Sequence, residues 1–307
     1  MKCDNLSRSI KRICILGLDS LEHDLVKKWD MKTLKQKEYS KVKLPLSKSE
    51  LAYTPPIWAS FITGKDPKEH GIQSDRKWDS VLIESAGKLK KKLVRDWGFK
   101  RFLSLPTKTL AIKLGFKYRT IDKNDLKMET IFDWVGNYVA ISVPGYNEWD
   151  EILEVRNLLQ EARSHKIPAS VARDKGLEVF KKKRDVFFKK LKGGWKIFMV
   201  HFFLLDVIHH LYPSDEDYIK ENYEMMCELV KKTKRKINEK EALVLIISDH
   251  GQKEGLHTKY GFYSSNKKLG LRNPKMTDFF NIIENLLDVI SKEKREKIRK
   301  RLIELGY

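Results

Sequence analysis

Cysteine is scarce in this chain: three in 307 residues, Cys3, Cys14 and Cys227. No two of them have metal-ligand spacing and no disulfide framework is implied, which fits a reducing interior. No apolar run approaches the length that spans a bilayer. The opening residues, MKCDNLSRSIKR, are polar and lack the apolar stretch of a signal peptide, so a cytoplasmic location is expected. No internal repeat at solenoid spacing is present. Negative charge is also in short supply, with 42 Asp+Glu against 62 Lys+Arg and a net charge of +20. That balance calls for an anionic partner: nucleic acid, a phosphorylated metabolite or an acidic membrane surface. No nucleic-acid recognition module is legible, which disfavours the first.

What is present is an ample apolar fraction, 41% of residues, in short Val/Ile-rich runs that alternate with helical patterns. This predicts an α/β fold with a mostly parallel central sheet covered on both faces. The run Leu243–Ile247 is the clearest strand, and it ends in Ser248-Asp249-His250-Gly251 with His257 soon after. Ligands of open α/β sheets sit where parallel strands end. A carboxylate and two imidazoles there suit a metal. They equally suit an Asp cap, a solvated His and a turn Gly, and these residues alone leave both readings open.

Three other stretches repeat the theme. Ile13–Leu18 is a strand ending at Asp19, which is a ligand candidate or the cap of a following helix. Trp195–Phe203 is a strand followed by Asp206 and His210, four apart and so on one face of a helical turn, able to share a cation. His209 points elsewhere. Thr54-Pro55-Pro56 places Thr54 just before a helix N-terminus, an end that offers free N–H groups and a positive dipole to an anion. The Thr54 hydroxyl is either a nucleophile or an N-cap. Further expectations are a strand at Lys41–Leu46, a polar loop at 65–71, a short helix at Thr130–Val135, a strand at Tyr138–Val143, helices at 149–163, 168–192 and 215–238, and a C-terminal helix carrying Phe279, Ile282, Leu286 and Ile290.

Residues 74–128 read as an inserted basic cap on a core formed by 1–73 and 129–307. From Ala86 to Arg119 there are eleven Lys/Arg and one acid, Asp96, interleaved with aromatic and aliphatic residues. Such a segment is a cap with a solvated basic face, or a surface for an acidic membrane at residues 86–119.

Three carboxylates, Asp19, Asp206 and Asp249, in one pocket repel unless cations neutralise them. About two divalent ions balance them together with a Thr54 alkoxide, which is the logic of two-metal phosphoryl transfer. The segments GLDSLEHDLV, TPPIWASFITGKDPKEHGI, FFLLDVIHHLYP and IISDHG with a following His resemble, in order, the type I phosphodiesterase/nucleotide pyrophosphatase branch of the alkaline phosphatase superfamily, closest to its short prokaryotic members. The resemblance implies an alkaline-phosphatase-like three-layer sandwich. It implies a phosphoesterase acting on a phosphate-ester small molecule or a lipid-linked phosphodiester, with a phosphomonoesterase or phosphomutase as the alternative. By the same resemblance Asp19, Asp249 and His250 bind one metal, which also contacts Thr54. Asp206, His210 and His257 bind the other, and Thr54 is the nucleophile. Nitrogen and oxygen ligation suits Zn²⁺, or Mn²⁺ or Fe²⁺. Two departures stand out. His257 follows His250 by only seven residues, and Pro55-Pro56-Ile57 replaces a Phe-Pro-Asn run, so the Asn that steadies a phosphate oxygen is missing. The absence of a Cys-x-Pro-x-Arg run argues against a sulfatase.

Overall fold

The computed structural model describes residues 10–46, 52–79, 117–287, 300–301 and 304. Six strands form one sheet: β1 (Arg12–Leu18), β2 (Glu38–Lys43), β3 (Tyr138–Ile141), β4 (Ile197–Phe202), β5 (Ala242–Ser248) and β6 (Tyr260–Ser265), in the order β2-β6-β5-β1-β4-β3. β1 runs parallel to both β4 and β5, and β3 runs parallel to β4. β6 is antiparallel to β5 and to β2. The longer helices are α1 (Thr54–Thr63), α2 (Asp150–Arg163), α3 (Ala169–Lys190), α4 (Leu204–Leu211), α5 (Glu216–Lys236) and α6 (Asp278–Leu286). This is the expected α/β architecture, a mostly parallel sheet between helical layers.

Side-chain parity sorts the core into two halves. Cys14, Leu16 and Leu18 of β1 pack with Phe198, Val200 and Phe202 of β4 and with Val244 and Ile246 of β5, under α3 and α5. The alternate residues, Ile13 and Ile15, Ile197 and Met199, and Leu243, Leu245 and Ile247, face the other way, under α1 and α6. Continuing that second parity along each strand reaches Gly17 and Asp19, His201, and Asp249. The residues that leave the strand ends on this side therefore share the face that α1 covers. Gly17 is the contact that draws α1 in. A Cβ there would lie 2.8 Å from the Trp58 ring, so only glycine lets the helix sit this close.

Three local expectations differ. The edge strand runs Glu38–Lys43 rather than Lys41–Leu46, because its antiparallel register with β6 pairs Lys43 with Tyr260 and Glu38 with Ser265, and Pro45 has no N–H for the ladder. The polar loop after α1 contains a helical turn, Pro67–His70, closed by a capping box between Asp66 and Glu69. Residues 130–135 form a turn and not a helix: the Asp133 carboxylate accepts from both the N–H and the hydroxyl of Thr130, a local competitor to helical bonding.

At the foot of the expected insertion, Lys77 pairs with Arg119 and Trp78 with Tyr118 in an antiparallel ribbon. Asp125 binds both strands, through Lys77 and through a two-pronged contact with Arg119. Most of the basic stretch 86–119 lies outside the described residues, as do Cys3 and Ile290. Among the described residues no helix is long and apolar enough to cross a membrane.

Candidate metal centre

β1, β4 and β5 point the same way, so their carboxyl ends meet at one rim. Asp19 follows β1 and Asp249 follows β5; α4 starts two residues after β4 and carries Asp206 and His210. Two sets of ligand atoms converge there, Asp19, Asp249 and His250 in one, and Asp206, His250 and His257 in the other, each set within 4.8 Å. His250 Nε2 lies 3.5 Å from Asp19 and 3.3 Å from Asp249. His210 Nε2 is 3.4 Å from Asp206 Oδ1, His257 Nε2 is 3.3 Å from the same oxygen, and the two imidazole nitrogens are 3.0 Å apart. The short spacing of His250 and His257 is explained by a tight hairpin, Gln252–Lys253 against Leu256–His257, which returns the chain and stacks the two rings 3.7 Å apart. His209 faces away and meets the Tyr223 hydroxyl.

Thr54 sits in the first turn of α1, and the N-cap is Tyr53, so the threonine hydroxyl does not cap the helix. It is 8% exposed and lines a cavity of about 540 Å³ together with Asp206, His210 and His257. It is near enough to Asp249 to ease ionisation of that carboxyl, although both Asp249 oxygens lack a hydrogen-bond partner. The helix end is a poorer anion cradle than a helix N-terminus usually is. Pro55 and Pro56 have no N–H, and the Ile57 N–H is bound by Tyr53 O. Only the Thr54 N–H is left free among the described residues.

The electrostatics are those of a site built for cations. Burial, then the charges of Asp249 and Asp206, raise the Asp19 carboxyl well above its ordinary range. Burial pushes Asp249 up to about 7. Burial also works to raise Asp206, but His210, His257 and His250 outweigh it and hold the group low. Burial drives His250 well below the usual imidazole range. Both oxygens of Asp19 and of Asp249, and His250 Nε2, are buried without a hydrogen-bond partner. Buried carboxylates left unpaired are costly, and a divalent cation among Asp19, Asp249 and His250 would satisfy them. The donor set of carboxylate oxygen and imidazole nitrogen fits such ions.

Hydrogen-bond bookkeeping fixes how the imidazoles present themselves. Ser20 Oγ lies 2.8 Å from Asp206 Oδ1, 3.3 Å from His250 Nδ1 and 3.0 Å from the Gln252 amide, whose other end is 2.8 Å from His210 Nδ1. With the amide nitrogen toward His210, Ser20 must give its single proton to both Asp206 and Gln252. With the amide turned over, every group is satisfied. His210 Nδ1–H then donates to Gln252, Gln252 and His250 Nδ1–H donate to Ser20, and Ser20 donates to Asp206. His257 Nδ1–H donates to the Ala52 carbonyl. All three imidazoles thus turn Nε2 inward.

Sequence reasoning overlooked several of these residues. Ser20, at φ 59°, and Gln252 are uncharged and gave no signal. His201 is fully buried, 3.2 Å from Asp19 and edge-on to Trp58. Its parity with Ile197 and Met199 was the available clue. Arg156 of α2, which also lines the cavity, was read only as part of a helix.

A family model described as type I phosphodiesterase / nucleotide pyrophosphatase matches residues 13–299. A comparison with curated proteins finds no match. Similar solved structures include a protein from Pyrococcus horikoshii, at 10% identity over 92% of this chain and 99% of that one, TM-score 0.47. The alkaline phosphatase of the Antarctic bacterium TAB5 is 10% identical over the same shares, TM-score 0.45. Murine ectonucleotide pyrophosphatase/phosphodiesterase 5 is 14% identical over 78% of this chain, which spans 57% of that protein, TM-score 0.41.

Proposed function

The chain belongs to the type I phosphodiesterase / nucleotide pyrophosphatase family, a family of phosphoric ester hydrolases, and from that premise we propose that it is a divalent-metal-dependent phosphodiesterase with Thr54 as its nucleophile. Asp19, Asp249 and His250 would hold one cation and Asp206, His210 and His257 the other. Zn²⁺ is the first choice for this donor set, with Mn²⁺ or Fe²⁺ as substitutes. Bound there, the ions supply charge neutralisation and Lewis acidity.

The chain's own residues divide the remaining work. Thr54 Oγ attacks phosphorus as its proton passes to solvent, the bond to the leaving alcohol or phosphate breaks with the electron pair staying on the leaving oxygen, which takes up a proton from solvent as its pKa requires, and a phosphothreonine ester results. Water then attacks that phosphorus, freeing a phosphomonoester and restoring the hydroxyl. The Thr54 N–H steadies a phosphoryl oxygen. Ser20 and Gln252 keep imidazole Nε2 atoms turned inward. The observation that carries this reading is a buried hydroxyl with no capping duty, beside Asp249, in the cavity that Asp206, His210 and His257 line.

Hydrolysis of bis(p-nitrophenyl) phosphate with Zn²⁺ or Mn²⁺ tests it. Thr54→Ala should abolish turnover while leaving the unfolding transition in place; full activity in that variant rules out the nucleophile. For the basic stretch 86–119, contact with an acidic membrane has compositional support alone, and flotation on anionic vesicles with and without the segment decides it.

A further inference from the structure

Helix α2 turns a polar stripe toward the cavity that holds Thr54. Arg156, Gln160 and Arg163 fall at i, i+4 and i+7, and all three line it. Arg156 is the built member. Its side chain is 10% exposed, and that of its partner Glu148 is 0% exposed. Nη1 and Nη2 each donate to one Glu148 oxygen at 2.7 Å, a two-pronged contact that fixes the plane of the guanidinium. The group rests 5.4 Å from the Phe203 ring centre. A guanidinium has five N–H donors. Glu148 takes two, and the others meet no acceptor among the described residues. Donors left over on a pre-oriented cation that lines the cavity point to a ligand there.

The helix end offers such a ligand little else. Pro55 and Pro56 strip α1 of donors, leaving the single Thr54 N–H to receive phosphate oxygens from that side. We propose that Arg156, held by Glu148 and joined by the exposed Arg163, forms a subsite for additional phosphate charge on the substrate, beyond the one negative charge of a simple phosphodiester. The proposal rests on the reading of Thr54 as nucleophile in this cavity. The extra charge has two possible sources with the same chemistry: a terminal phosphate on a pyrophosphate-type leaving group, or the second charge of a phosphomonoester's own phosphoryl group.

The experiment compares kcat/KM of the metal-loaded enzyme on three substrates: bis(p-nitrophenyl) phosphate, p-nitrophenyl phosphate and a nucleoside triphosphate. The variants are Glu148→Gln/Arg156→Gln, which avoids stranding a buried carboxylate, and Arg163→Gln, which lies on the surface. In the double variant the preference for the more charged substrate over the simple diester should fall about 10- to 100-fold, the range of a lost charge-assisted contact; Arg163→Gln should shift it the same way, by less. A fall confined to p-nitrophenyl phosphate assigns the subsite to the phosphoryl group, and one confined to the triphosphate assigns it to the leaving group. Equal losses on all three substrates, or no loss, overturn the proposal. Should the wild type hydrolyse none of them, the nucleophile reading fails by itself. Calorimetric binding of pyrophosphate to wild type and double variant then decides the subsite, weaker binding in the variant supporting it and equal binding overturning it.

Discussion

Replacing Gln252 by Leu removes the group that relays orientation from Ser20 to His210 without touching a proposed ligand. Gln252 is 1% exposed, so the change is made in the interior. It deletes the 2.8 Å contact to His210 Nδ1 and the 3.0 Å contact to Ser20. Each bond is worth about 1 kcal/mol net, and stranding a buried partner adds to that. The stability loss should be roughly 2–3 kcal/mol. The larger effect is expected on cation binding. With the Gln252 acceptor gone, the His210 ring keeps only the Gly255 carbonyl on that side, and its proton is freer to move to Nε2, the atom that faces Asp206 and His257. Loss of such an outer partner weakens metal binding about 10- to 100-fold. Calorimetric titration with Zn²⁺ measures this, and ¹⁵N shifts of the histidines read the tautomer in metal-free protein. Gln252→Glu, which keeps an acceptor facing His210, should return the tautomer to the wild-type form. If Gln252→Leu leaves both the affinity and the His210 tautomer unchanged, the relay does not exist.

Lys183 gives a prediction with a definite sign. It is 1% exposed, and burial lowers its pKa from 10.5 to about 7. Between those values the unfolded chain holds a proton that the folded one lacks, so stability should rise with pH from about 7 to about 10. Lys183→Met should flatten that slope and stabilise the protein at pH 7 by roughly 3 kcal/mol, as read from urea unfolding at several pH values. Gly251→Ala would place a Cβ 1.9 Å from Glu22 Oε2 and 2.9 Å from Thr258 Oγ1. It should cost about 1–3 kcal/mol and disturb His250, and adding Glu22→Ala should recover part of the loss; no loss in the single variant means the turn yields freely. Exhaustive chelation should lower the melting temperature, and Zn²⁺ should restore it in proportion to its free concentration. An unchanged melting temperature argues against tight cation binding.

How much of this was legible in the sequence depended on the range of the cause. β1, β4 and β5 were readable because each is a short run of buried Val, Ile, Leu and Phe, apolar on both faces. Asp206 and His210 were readable as a pair because helical spacing is a local rule. The half-buried edge strand was misplaced by three residues, since its register is set by β6, far along the chain. His201 hid within an apolar run, where an imidazole has no local signature. The role open to Thr54 turned on Asp249, which lies 195 positions away in sequence. Locally a threonine before two prolines says only that a helix begins. The poverty of donors at that helix end was readable from Pro55 and Pro56, and it took the position of Arg156 to give it meaning.

The ribbon of Lys77–Trp78 and Tyr118–Arg119 has a consequence for how this chain can be re-engineered. Its two strands leave the body side by side, clasped by one carboxylate, Asp125. The chain therefore leaves and re-enters this part of the fold at neighbouring positions, and replacing what lies between them is expected to leave the register of the sheet unchanged. A graft of foreign sequence at those positions, or a bare Asn-Gly turn joining them, should leave the rim of strand ends as it is.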